Sequence, residues 1–138
     1  MAVFRHGFSL PMPPAAALAL FTPRGEEGWV PGWAPRYIDP PDGETAPGMI
    51  FATHGDSVWW TCLEWDPAGG GARYLRLTPG VKVARVGITC RAEGEGTRVE
   101  VVYDWHPLGP QGAEELAAMT DSGFAAEIEG WRALILAA

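Results

Sequence analysis

The sequence predicts an α+β fold: a curved antiparallel sheet with one long C-terminal helix lying across it, and two short helices after the first strand. Three observations predict it. Between residues 49 and 105, segments rich in β-branched and aromatic residues alternate with glycine and proline turns. From residue 111 the apolar residues recur at spacings of three and four, which is a helical period. Between the first strand and the sheet lie two proline-led segments that are too short for more than a turn or two of helix each.

Residues 3–10 read as the first strand, which Pro13 and Pro14 stop. Proline suits the first turn of a helix, because its missing N–H would have no partner there. Residues 15–21 are strong helix formers and predict about two turns. Thr22-Pro23 can cap a second helix, with Glu26 and Glu27 in its first turn, where the dipole favours anions. Pro31, Gly32 and Pro35 keep that helix short.

Strands are predicted at 49–53, 58–65, 73–78, 82–92 and 97–105. His54-Gly55-Asp56, Gly69-Gly70-Gly71, Pro79-Gly80 and Gly94-Glu95-Gly96 mark the turns between them. Such short connections pair neighbours as antiparallel hairpins. The expectation is a meander of about five strands, joined by the N-terminal strand as a sixth or seventh member.

Alternation orients the last strand. Val99, Val101, Tyr103 and Trp105 fall on one face, and Arg98, Glu100 and Asp104 on the other, so one face is buried and one is wet. In 82–92, Val86, Ile88 and Cys90 share a face, and Gly87 in mid-strand predicts a bend or bulge. Residues 58–65 are apolar on both faces, so periodicity does not assign their inner side. Arg76 and Arg85, within strands, are expected on the wet face. An inward one would suggest an acidic ligand.

Residues 111–136 predict the long helix. Ala113, Ala117, Thr120, Phe124, Ile128, Trp131 and Ile135 form one stripe at 100° per residue. The helix would be about 36–39 Å long. Glu127 flanks the stripe and reads as a solvated flank residue, with reach to the pocket rim as the alternative.

The totals limit the function classes. A chain of 138 residues without repeats or linkers reads as one domain, 1–138, which can bury a core without a metal or disulfide staple. A net charge of −7 repels phosphate backbones, so nucleic-acid binding is disfavoured. No basic cluster draws the chain to an anionic membrane, and no stretch is apolar enough to enter one. The apolar run at 15–21 is too short for a signal peptide, so a cytoplasmic location is expected. Cys62 and Cys90 lie far apart with no zinc spacing, which predicts two reduced thiols and no metal or other cofactor.

The order strand, two short helices, meander, long helix is the helix-grip arrangement. The run Phe21-Thr22-Pro23-Arg24-Gly25-Glu26-Glu27-Gly28-Trp29-Val30-Pro31-Gly32-Trp33-Ala34-Pro35 resembles a stretch in small bacterial proteins of the SRPBCC (START-like, polyketide cyclase-like) superfamily. Arg73-Tyr74 leading to Thr78-Pro79-Gly80, and Val101-Val102-Tyr103, agree with it. Arg24 stands where the resemblance implies Glu. The resemblance implies a cavity between sheet and helix, and a function in binding lipids, hormones or polyketides, or as a cyclase.

Seven Trp in 138 residues are several times the usual share, and each buried indole needs a partner for its N–H. They either fill the core or line that cavity. A void of roughly 300 Å³ left empty would cost about 7 kcal/mol, against a whole stability of about 5–15 kcal/mol. The cavity is therefore expected to be small, Trp-filled, wet or occupied. The candidate ligand-binding residues are Trp29, Trp33, Trp60, Tyr103, Trp105, Phe124, Ile128 and Trp131. Trp29 and Trp33 read either as a lid or as pins holding the short helices.

His54-Gly55-Asp56 and Asp104-Trp105-His106 each place a carboxylate near an imidazole, which suits a metal or an acid–base pair. Their positions at strand ends favour backbone bonding instead. His6 has no evident partner in the sequence. No Ser-centred elbow, phosphate loop or dinucleotide fingerprint occurs. Three functions follow as expectations: a binding module for a small hydrophobic or aromatic molecule, a cyclase- or hydratase-like enzyme using a polar pocket residue, or a homodimeric interaction protein whose cavity has closed.

Overall fold

A computed structural model describes residues 2–138. Its elements run β1 (Ala2–Leu10), α1 (Pro14–Ala19), α2 (Pro23–Glu26), β2 (Arg36–Asp39), β3 (Ile50–Thr53), β4 (Val58–Asp66), β5 (Gly71–Thr78), β6 (Lys82–Glu93), β7 (Gly96–Pro107), α3 (Pro110–Ala117) and α4 (Asp121–Ala137). The strands form one antiparallel sheet in the order β1-β7-β6-β5-β4-β3-β2. From β2 onward each strand pairs with the next, as short connections require, and β1 closes the far edge beside β7.

Pairing stacks the inner residues into rows across the sheet. One row runs Trp60, Arg76, Ala84, Trp105 and Ala2. The next runs Cys62, Tyr74, Val86, Tyr103 and Phe4. These rows settle the inner side of β4: Val58 and Cys62 are buried and Trp60 is half-buried beside them, while Trp59 lies on the outer face under Arg36. The irregularity expected at Gly87 is absent, since β6 keeps its register with both neighbours. It sits in β4 instead, between Cys62 and Glu64, where the extra residue Leu63 is pushed into solvent. β2 was not predicted: it is four residues long, lies between Pro35 and Pro40, and has no alternation to betray it.

The short helices form where proline and threonine place them. Thr22 Oγ1 accepts from Gly25 N at 2.9 Å and donates to Ala19 O at 2.8 Å. A Cβ on Gly25 would lie 1.9 Å from Ala19 O, so only glycine allows α2 to press against the end of α1. Arg24 lies over the Tyr37 ring at 4.3 Å and bonds Glu27, which also accepts from the Tyr37 hydroxyl at 2.6 Å. Arg24, standing where the resemblance implied Glu, thus ties α2 to β2.

The predicted C-terminal helix is broken in two. Thr120 adopts an extended backbone, and its Oγ1 accepts from Gly123 N at 3.0 Å, starting α4 afresh. The two halves have different targets. α3 packs on the β5–β6 turn, where Gly112 lies against Val81 O and Lys82 Nζ meets Glu115 at 2.6 Å. α4 packs along β1. The break shifts the helical phase: Gly112 and Leu116 are buried, whereas Ala113, Ala117 and Thr120 are exposed. From Phe124 onward the predicted stripe holds, with Ile128 and Ile135 buried. At 17 residues, α4 is about 26 Å long rather than 36–39 Å. Two polar bonds fix it to β1: His6 Nε2 meets Glu129 Oε1 at 2.8 Å, and Arg132 Nε donates to Ser9 O at 2.9 Å.

Candidate functional site

A cavity of about 210 Å³ lies between the inner face of the sheet, the turn after α2, and α4. Trp29 and Trp33 form the wall after α2. Trp29 Nε1 donates to Leu20 O at 2.8 Å, and Trp33 Nε1 donates to Pro23 O at 2.9 Å. Their polar atoms are satisfied by backbone, so both indoles pin the short helices and also line the cavity with apolar surface. Trp29 meets Phe21 and Trp131 edge-on at 5.8 and 6.0 Å. Trp33 meets Trp60 edge-on at 5.9 Å.

The sheet contributes Trp60, Tyr74, Arg76 and Tyr103, and α4 contributes Glu127 and Trp131. Trp60 Nε1 donates to Thr53 Oγ1 at 3.0 Å, and His54 Nδ1 lies 2.9 Å from the same hydroxyl. Trp105 and Phe124 border an adjoining recess of about 350 Å³ beneath the α3–α4 joint. The cavity and the recess share Arg76, Tyr103 and Glu127 as their common wall. Ile128, grouped by periodicity with the candidate lining, is fully buried in the solid core and borders neither space.

Arg76 requires a correction. It faces inward, while Arg85 stays on the outer face near Asp104. The cause is alternation: Ala72 and Tyr74 are buried, and a side chain two residues on must share their face. The guanidinium lies 5.4 Å from the centres of both the Trp60 and Trp105 rings. Ala84, between those rings in the row, is small enough to leave it that slot. Arg76 Nε is buried without a hydrogen-bond partner. None of the ion pairs among the described residues involves Arg76.

Glu26 is the functional group that sequence reasoning missed. The sequence predicts a first-turn carboxylate serving the helix dipole, but its side chain borders the cavity. Burial pushes its carboxyl up to about 8, so it holds its proton at neutral pH. Its position three residues before Trp29, on the same helical turn, was the available signal. Burial also raises both cavity tyrosines above the usual phenol range. Tyr74 donates to Phe21 O at 2.9 Å.

The other candidates are dispersed. His54 borders the cavity, whereas Asp56 turns away to bond Arg36 at 2.9 Å. Asp104 and His106 sit 3.1 Å apart on the outer face. No group of three or more potential metal ligands occurs among the described residues. Cys62 and Cys90 are free and buried, and burial raises both thiols, Cys90 to about 11. The site is thus an aromatic chamber holding one cation without an acidic partner among the described residues, one proton-bearing carboxyl and a phenol that lies near that cation.

No protein-family model and no curated protein sequence matches the chain. Solved structures do. The chain is similar to Ara h 8.0201, with a TM-score of 0.68 and 15% identity over 96% of this chain and 91% of that one. It is similar to norcoclaurine synthase from Thalictrum flavum, with a TM-score of 0.67 and 12% identity over 98% and 86%. It is also similar to CalU16 from Micromonospora echinospora, with a TM-score of 0.61 and 16% identity over 92% and 78%. Likeness at this level of identity is likeness of architecture, and it agrees with the element order and the cavity beneath α4. The chain has the helix-grip fold that these structures share.

Proposed function

We propose that the chain is a binding module for a small, largely aromatic molecule held between the sheet and α4. The observation that carries this reading is the aromatic chamber of about 210 Å³ whose Trp29, Trp33 and Trp60 N–H groups are already bonded to protein. Such walls present flat apolar surface and ask for no polar partner. An aromatic guest would add contacts with these walls. The ligand-facing residues in this reading are Trp29, Trp33, Trp60, Tyr103 and Trp131, with Trp105 and Phe124 reached through the recess. A volume this large weighs against a closed cavity serving only dimerisation.

The first test is mass spectrometry of small molecules released by denaturing the purified protein. A stoichiometric aromatic compound supports the reading. The second is titration with N-phenyl-1-naphthylamine, a neutral dye that brightens in apolar sites. No dye binding, together with no released compound, sinks it.

One observation favours a second reading, a cyclase- or hydratase-like proton-transfer enzyme. A carboxyl that titrates at about 8 on the cavity wall is suited to giving and taking protons. One of the similar structures bears the name of a synthase. Turnover of any bound compound by the wild type, lost in Glu26→Gln with binding retained, would favour it.

A further inference from the structure

We propose that Arg76 is the anchor for an acidic group on the ligand, which makes the ligand class a small aromatic carboxylate. This rests on the cavity being a binding site and goes further by naming the chemistry of the guest.

The argument starts from an unmet demand. A guanidinium is a planar fork of donors that never loses its charge. Arg76 projects from the centre of the sheet into the wall shared by the cavity and the recess. Its Nε has no acceptor, and no Asp or Glu of the described residues pairs with it. Buried donors in native proteins are rarely left so, because each unmet bond carries a desolvation cost. The two indoles flanking the guanidinium stabilise its charge through their faces but accept no hydrogen bond in its plane. The missing partner is a planar acceptor entering from the cavity. A carboxylate matches the fork with two parallel bonds.

The rest of the chamber agrees. Glu26 and Glu127 border the same space and would repel an anion if both were charged. Glu26 keeps its proton at neutral pH and becomes a donor to the incoming carboxylate. Glu127 is exposed, so water screens it. The Tyr103 hydroxyl approaches Arg76 on the shared wall, but a neutral phenol leaves the guanidinium charge and its Nε donor unmatched. The aromatic body of the guest then lies against Trp29, Trp33 and Trp131. Inorganic phosphate has no such body and is not the expected guest.

The test compares two shape-matched competitors, 2-naphthoate and 2-naphthamide, displacing N-phenyl-1-naphthylamine at pH 7. The wild type should prefer the naphthoate by about ten- to a hundredfold, the range of a charge-assisted bond to a buried group. Arg76→Met should abolish that preference, read as the ratio of the two competitors' affinities within the same variant. If Arg76→Met loses the dye as well, Arg76→Gln decides, since it keeps length and polarity without charge. Equal affinities in the wild type, or a preference that survives the loss of charge, overturn the proposal while leaving the cavity reading intact. If the wild type does not bind the dye and neither naphthalene competes, the cavity reading itself has failed, and the anchor with it.

Discussion

Glu26 makes the stability of this protein depend on pH in an unusual direction. An unfolded chain ionises its glutamates near 4.5, but folded Glu26 holds its proton up to about 8. Folding is therefore unpenalised below pH 4.5, and stability falls as pH rises through the interval to about 8. The full difference corresponds to on the order of 4–5 kcal/mol. Glu26→Gln removes the titrating group and keeps the shape. Arg76, His54, Glu127, Tyr74 and Tyr103 face the same cavity. Burial is the cause of the shift. For 138 residues, 1 kcal/mol moves the melting temperature by about 3 °C. The variant should melt within about 3 °C of wild type at pH 5 and roughly 12–15 °C higher at pH 9, read by circular dichroism in matched buffers. Using the difference between the two proteins cancels the general effect of rising negative charge. Parallel melting curves across pH 5–9 would mean that Glu26 is solvated and that its environment has been misjudged.

Other expectations are more local. Thr120→Ala removes the cap that starts α4 and should cost about 1 kcal/mol, seen as a lower urea midpoint with an unchanged slope. Ile128→Ala should cost about 2–5 kcal/mol, because its side chain is wholly enclosed, yet leave dye affinity within about twofold. A large loss of dye binding with stability intact would place Ile128 at the cavity after all. Cys62 and Cys90 should resist a thiol reagent such as Ellman's at pH 8 in the native state and both react in guanidinium, since burial raises their thiols. Rapid native labelling would show that the sheet opens.

The fold was legible where periodicity was strong. The strands from β3 to β7 announced themselves through β-branched runs and glycine turns, and α4 through the stripe from Phe124 to Ile135. The break before Thr120 was not legible, because Ala113, Ala117 and Thr120 continue the same spacing. Only the separate destinations of α3 and α4 make the chain stop. Trp60 could not be assigned a side because Trp59 is equally apolar, and pairing with β5 decided it. The aromatic walls followed from composition together with the resemblance. The two polar groups that give the chamber its chemistry did not. Arg76 and Glu26 have ordinary solvent-facing readings in sequence, and only the inward side of β5 and the tilt of α2 turn them toward the cavity.

The bond from Arg132 to Ser9 has a further consequence for how the molecule meets its own kind. A lone sheet edge invites another chain to add a strand. β1 is nine residues long and would be the more tempting border. There, Ser9 O is already taken by a guanidinium from α4, so a guest strand in register would have to evict a charged side chain and lift part of the helix. The opposite border, β2, is only four residues long and hemmed by Pro35 and Pro40. Neighbours can come up against this protein, but neither margin gives them an easy length of backbone to zip onto.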